Sequence, residues 1–283
     1  MSLSLAERPA AARPAAIEAE LNYLGPVEGR PFTWTYAPPE GGPRSNILAE
    51  PHRVPIHDLR PRAAAATLDR EGFAVARGAS ALRNFDDEAA IRAIYYPESA
   101  RILQAATGAA RVHVFDHTIR RRVPGAEDRG AVPRQPVSRV HVDHTERSGP
   151  QRVRDLLPEE AEGLLRGRVQ IVNLWRPLVG PVRDMPLAVC DAATVAPEDL
   201  VASDLIYPDR TGETYQVRFN PAHRWYWLPE MLPEEALLLK CYDSARDGVA
   251  RFMPHTAFAD PTAPADAPPR QSIEIRALLF HDA

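Results

Sequence analysis

The feature that most restricts the fold is the second half of the chain, where short apolar runs recur between turn residues. RVQIVNLWRPL, PLAVCDAAT, TYQVRFNP, RWYWLPE, ALLLKCYDS, ARFMPHTAF and RQSIEIRALLF follow one another from residue 168 to residue 280, separated by Pro, Gly and Asp. Runs of this length are too short for helices, and their punctuation is that of a sandwich, jelly roll or barrel. The segment from Leu21 to Asp58 also reads as extended pieces broken by turns, because its prolines and glycines oppose helix. Helix is expected at Ala63–Arg70, at Asn84–Thr107 and at Asp155–Leu165. Asn84 would cap the second of these, Gly108 would end it, and Pro97 would divide it in two. Ile91, Ile94 and Tyr95 are spaced to pack one helical face on a sheet. GFAVARG and ARVHVFDHTIR read as further strands. The expected fold is therefore α+β, mainly β, with an antiparallel double-sheet barrel braced by helices.

Composition narrows the function classes. With 45% hydrophobic residues the chain has enough apolar surface for a core, and no run approaches the roughly 20 apolar residues of a membrane span. The 34 basic and 38 acidic residues leave a net charge of −4, against the basic surplus of a general nucleic-acid binder. The opening MSLSLAERPAAARPAAIEAE has no apolar h-region, which reads against a signal peptide and for a cytoplasmic protein. Residues 1–16 read as a loose arm and 17–283 as one domain with its core at about 110–283. Cys190 and Cys241 fit no metal or redox spacing and read as buried thiols. Lys240, the one lysine among the basic residues, reads equally as a pocket cation or an exposed edge residue. The consecutive Trp225, Tyr226 and Trp227 read as core packing.

The chemistry is carried by histidine. Of nine histidines, only His141 has an aspartate two residues on, Asp143. On a strand, residues i and i+2 share a face, so imidazole and carboxylate can converge on one ion. His255, on a late strand that a barrel would bring opposite, is the candidate third ligand; His223 and His281 are its rivals. Two histidines and one carboxylate are the ligand set of non-haem Fe(II) oxygenases. Arg270 and Ser272 stand 15 and 17 residues after His255, again on one face of a strand. A guanidinium fork plus a hydroxyl suits the distal carboxylate of a dicarboxylate. The turn-rich DPTAPADAPP between these strands suggests a hairpin. HxD, a distant His, then RxS is the layout of 2-oxoglutarate-dependent oxygenases.

The phrases VNLWRPLVGPVRDMPLAVCD, LLLKCYDS, ARFMPHTAF and PPRQSIEIRALLF, with LNYL, EGGPRSN, TLDREGF and RVHVFDHTIR, extend the likeness from about Leu21 to Phe280. In these the chain resembles the family of the cephalosporin 7-alpha-methoxylase subunit and gibberellin desaturase-like oxygenases. The resemblance implies a double-stranded β-helix (jelly-roll, cupin-like) core and Fe(II)/2-oxoglutarate/O2 oxidation of a small natural product in secondary metabolism. Hydroxylation, desaturation, cyclisation and endoperoxide formation all stay open under it. It implies His141, Asp143 and His255 as metal ligands and Arg270, assisted by Ser272, as the 2-oxoglutarate clamp. Arg276, on the same face, would approach the cosubstrate's other carboxylate. Asn173, Trp175, Tyr36, Asn46 and His117 are candidate substrate contacts. Asn173 and Trp175 share a strand face that Arg176 does not. His144 should point off the metal face, and His113 and His117 also read as structural donors beside Asp116. Two other classes stay open: a catalytically silent jelly-roll partner of another enzyme, and a zinc metallohydrolase using the same ligands. No nucleic-acid or membrane partner is expected, and a homodimer is allowed by these motifs without being readable from them.

Overall fold

The computed structural model describes residues 14–126 and 133–282. Most of the expected loose arm, residues 1–13, lies outside them, and its last residue, Ala16, already begins a strand. In chain order the strands are β1 (Ala16–Leu24), β2 (Phe32–Trp34), β3 (Ala49–Asp58), β4 (Phe73–Arg77), β5 (Arg111–Arg121), β6 (His141–Val142) and β7 (Val169–Pro177). Then come β8 (Leu187–Cys190), β9 (Leu200–Ile206), β10 (Thr211–Val217), β11 (Trp225–Trp227), β12 (Glu235–Asp243), β13 (His255–Ala257) and β14 (Gln271–Phe280). The helices are α1 (Glu88–Ala90), α2 (Tyr96–Thr107), α3 (Ser148–Leu156) and α4 (Ala161–Leu164). The chain is thus mainly β, as expected. No helix among the described residues is long and apolar enough to cross a membrane.

Two sheets face one another. The larger runs β1-β3-β11-β8-β13-β6-β10-β9-β2 and the smaller β4-β12-β7-β14-β5. All pairings are antiparallel except β11 with β3 and β2 with β9. Alternation along β7 and β14 decides what meets between the sheets. Val172, Leu174, Ile273 and Ile275 face outward to a core shared with Ile91, Tyr95 and Leu103. The intervening residues face inward. There, Phe73, Val189 and Leu239 close one end, and Val142, Ile171 and Leu278 the other. The polar side chains of the interior lie between these two apolar plugs.

Several local expectations need correction. Ala63–Arg70 forms turns, preceded by a short 3-10 helix at Arg60–Arg62. Side chains serve its backbone instead: Thr67 Oγ1 accepts from Arg70 N at 3.2 Å, and Glu71 Oε2 from Thr67 N at 2.9 Å. The long helix starts at Glu88, with Asp87 as its cap, while Asn84 accepts from Asp86 N in the turn before. Pro97 does not divide the helix; a π-helical turn, Ile91–Tyr95, joins α1 to α2 directly before it. Proline has no N–H for the carbonyl four residues back, and a widened turn accommodates that. The wider turn also rotates Ile94 outward, to 38% exposure, while Ile91 and Tyr95 stay buried. Gly108 ends α2 in the left-handed region at φ 69°. Asp155–Leu165 is not one helix: α3 ends before Pro158, and α4 restarts beyond it. β9 has no legible strand signal in the sequence, because its Ala, Ser and Asp obscure the alternation.

Trp225, Tyr226 and Trp227 are buried core, as expected, and both cysteines are free and buried. Lys240 is neither a pocket cation nor an edge residue. It is fully buried, with Nζ donating to Asp69 at 2.6 Å and Asp243 at 2.7 Å. The segment from β13 to β14 is not a hairpin, since the two strands belong to different sheets. That crossover sets Arg270 across from His255 instead of beside it.

Candidate active site

His141 and Asp143 lie on one side of the β6 segment, with Nε2 and Oδ1 3.4 Å apart. His255 does not sit opposite, as a barrel argument suggests, but on the adjacent strand, where it is the register partner of His141. The ring centroids are 4.5 Å apart. One donor atom from each of the three residues falls within 4.8 Å of the other two, the one such cluster among the described residues. Each imidazole is oriented by a backbone carbonyl: His141 Nδ1 lies 2.8 Å from Arg139 O, and His255 Nδ1 3.3 Å from Met253 O. A carbonyl only accepts, so each Nδ1 carries a proton and each Nε2 is the nitrogen left to ligate a metal. Desolvation and then the neighbouring His141 draw His255 down to about 4, which keeps it neutral. Desolvation would raise the Asp143 carboxyl, but its neighbours His141, then His255 and Arg276, hold it well below the usual range. Two imidazole nitrogens beside an ionised carboxylate are a donor set that fits a divalent cation. The rivals are occupied elsewhere, His223 with Asp199 at 3.0 Å and His281 with Gln170 at 2.8 Å.

The small sheet supplies the facing wall. A cavity of about 50 Å³ lies between His141 and His255 on one side and Trp175, Arg270 and Glu274 on the other. Arg270 is buried, its guanidinium 5.5 Å from the Trp175 ring, with Nη1 donating to Met185 O at 2.5 Å. Its Nε has no partner. Desolvation, then the like charge of Arg120, pushes Arg270 down to about 9. A buried cation with an idle donor is a built receptor for a carboxylate. Ser272 is buried on the same strand face but is not part of the cavity wall. Arg276 is already committed, as Nε and Nη2 each donate to Asp116 at 2.7 Å.

The candidate substrate contacts are redistributed. Asn173 is fully buried, and its Nδ2 donates to Asp143 Oδ2 at 2.8 Å and to Glu274 Oε1 at 2.9 Å. It braces a metal-cluster carboxylate and does not face the outer cavities. Trp175 is the floor beneath Arg270. Tyr36 packs edge-on against Trp34 and is not part of the wall of either large cavity. Asn46 ties down its own loop, accepting from Phe32 N at 2.8 Å and donating to Arg30 O at 3.1 Å. His117 points to the helix side of β5, where Nδ1 meets Tyr96 Oη at 3.0 Å and Nε2 meets Glu88 at 3.2 Å. Its strand neighbours Thr118 and Arg120 are the ones that reach the cavity. Those two and Glu274 were missed, and parity could have found them: Glu274 lies between Ser272 and Arg276 on the inward face, and Thr118 and Arg120 continue from Asp116. Desolvation, then the Asp143 charge, raises the Glu274 carboxyl.

Two larger cavities open from the cluster and meet at Asp143 and Arg276. One, of about 600 Å³, passes over His141 between Trp34, Val137 and Tyr207. The other, of about 620 Å³, lies toward α3 and includes His144, whose Nδ1 is 3.3 Å from Ser148 Oγ. Both fall in the range of small-molecule sites.

Comparison with known proteins agrees with this geometry. A family profile described as an oxidoreductase/YMDC permease-like domain (YDMC) matches residues 21–280. The Fe(II)/2-oxoglutarate-dependent dioxygenase nvfI of Aspergillus novofumigatus is 33% identical over 272 residues, covering 93% of this chain and 96% of its own. The hydroxylase/desaturase efuI of Hormonema carpetanum is 32% identical over 292 residues, covering 96% and 97%. The solved structure of the iron and alpha-ketoglutarate-dependent endoperoxidase NvfI superposes with a TM-score of 0.85 at 31% identity, covering 95% of this chain and 99% of that one. With a profile across nearly its whole length and such relatives over more than nine-tenths of it, the chain belongs to the Fe(II)/2-oxoglutarate-dependent dioxygenases.

Proposed function

We propose that His141, Asp143 and His255 hold Fe(II), that Arg270 receives the distal carboxylate of 2-oxoglutarate with Ser272 behind it, and that the enzyme oxidises a C–H bond of a small natural product. The single observation carrying this reading is the convergence, across one small cavity, of a three-donor cluster and a buried guanidinium with an idle Nε. When bound, Fe(II) with 2-oxoglutarate and O2 supplies oxidative decarboxylation to succinate and CO2 coupled to removal of a substrate hydrogen. The chain's own part is placement. Arg139 O and Met253 O fix the ligand tautomers, Asn173 holds one oxygen of Asp143, and Trp175 and Leu187 wall the cosubstrate cavity against water. Arg276, committed to Asp116, borders the same small cavity and keeps a positive charge beside Asp143, on the side where the cosubstrate's second carboxylate would lie. Residues 17–283 act as one domain, and the two facing sheets support the reading of a double-stranded β-helix. Within the family, the shared phrases support the branch of the cephalosporin 7-alpha-methoxylase subunit. A zinc hydrolase has no use for the Arg270 receptor, and a silent partner has none for an intact donor cluster.

The test is anaerobic optical titration with Fe(II), then 2-oxoglutarate, followed by air and a succinate assay. A weak visible band requiring both additions, then succinate, is expected; His255→Ala should abolish band and turnover together. Full iron occupancy in that variant would move the third ligand elsewhere.

A further inference from the structure

The larger cavity over His141 contains a cation that the proposed chemistry does not use. Arg139 is two residues before His141 on the same side of the chain, half-buried, with its side chain in the cavity wall. No described residue gives its guanidinium a carboxylate or a hydrogen bond, in contrast to Arg276 on Asp116 or Arg30 on Asp204 at 2.8 Å. Among the described residues the only carboxylates of this wall are Asp143, in the donor cluster, and Asp204, already paired with Arg30. The rest of the wall near the cluster includes Trp34, Val137, Leu205 and Tyr207, an apolar surface for a carbon skeleton. A half-buried guanidinium without an anion is costly unless a ligand brings one.

We infer that the substrate is an apolar skeleton bearing a carboxylate, and that Arg139 binds that carboxylate in the cavity beside the metal cluster. This rests on the reading above, with Fe(II) at His141. Two residues of extended chain separate the recognition point from the metal ligand by roughly 7 Å. The carboxylate is therefore held away from the carbon that reacts, and it sets which part of the skeleton comes to the cluster.

The test uses 4-(pyren-1-yl)butyrate and its methyl ester as fluorescent probes, titrated into the anaerobic Fe(II)·2-oxoglutarate holoenzyme. The acid should bind about 10- to 100-fold more tightly than the ester, the range of a charge-assisted hydrogen bond. Arg139→Ala should weaken the acid by that factor and leave the ester unchanged, and Arg139→Lys should keep most of the preference. The unchanged ester shows that the cavity is intact. Equal loss of acid and ester, or no loss of either, overturns the inference. So does loss of preference in Arg210→Ala with Arg139→Ala unaffected, because the carboxylate would then be read in the neighbouring cavity, where Arg210 lies. The visible band of the same samples separates the two levels: its absence in the wild type removes the proposed metal site, whereas its presence without acid preference removes only the role of Arg139.

Discussion

Asn173→Leu isolates the side chain that joins the metal cluster to the facing sheet. In the wild type one amide nitrogen serves two carboxyl groups, Asp143 at 2.8 Å and Glu274 at 2.9 Å. Asn173 Oδ1 accepts nothing, so the amide is oriented wholly by two groups that take its hydrogens. Leucine keeps the volume and removes both bonds. A hydrogen bond to a charged group is worth about 1.5–3 kcal/mol. That matches the 10- to 100-fold loss of metal affinity typical when an outer partner of a ligand is removed, about 1.4–2.8 kcal/mol. Without the shared donor, Asp143 is free to rotate and faces Glu274 directly, so the cluster loses orientation as well as a bond. Asn173→Leu should therefore bind Fe(II) about 10- to 100-fold more weakly, measured anaerobically against a competing chelator. The 2-oxoglutarate requirement at saturating metal should change far less, because Arg270 is untouched. Metal affinity within about twofold of wild type in a folded variant would refute the argument, since Asp143 would then be held without the amide.

Arg270→Ala should raise the 2-oxoglutarate requirement by about 10- to 100-fold at full iron occupancy, read from succinate release against cosubstrate concentration. Lys240→Met should destabilise by about 3 kcal/mol in denaturant melts without altering the Fe(II)·2-oxoglutarate band, because buried Asp243 loses its lysine and keeps only Arg168, Gln170 and the Ala245 N–H. Acid should destabilise the protein from about pH 6.5 downward. Desolvation draws His144 to about 4, so between about 6.5 and about 4 the unfolded chain binds the proton first. Stability is whole above that window and is lost as pH falls through it. The fully desolvated limit is about 3 kcal/mol, and about half of that is expected because His144 borders a cavity reached by solvent. His144→Gln should flatten this limb in pH-dependent melts; an unchanged slope would assign the loss to other groups.

Legibility followed locality. The strands β7, β10, β12 and β14 could be read directly, because alternating or continuous apolar runs between turn residues have one dominant solution. The donor pair His141 and Asp143 could be read for the same reason: i and i+2 on an extended segment share a face whatever surrounds them. Arg270, Ser272 and Arg276 were likewise placed on one face by parity alone. Asn173 and Trp175 can be paired from the sequence, but a shared face does not say what stands across from it: Asp143 and Glu274 for the one, Arg270 for the other. Tyr36, Asn46 and His117 show a related limit: in the structure they meet Trp34, their own loop and a neighbouring helix, because a polar or aromatic side chain can serve its surroundings as readily as a ligand.

By itself, then, the sequence determined the β-rich class, the His141–Asp143 donor pair and the late RxS strand, each a matter of residue type and short-range periodicity. Tertiary structure decided the rest. It made His141 and His255 neighbours on one sheet, and it carried the chain after β13 across to the other sheet, so that Arg270 faces them. It also buried Lys240 between two aspartates and set Asn173 between Asp143 and Glu274. Apart from Lys240 with Asp243, these are pairings between residues tens to more than a hundred positions apart, and they depend on strand order and crossover, which local periodicity does not encode. What meets across the interior is set by which strands pair, and that is settled by packing the whole core at once.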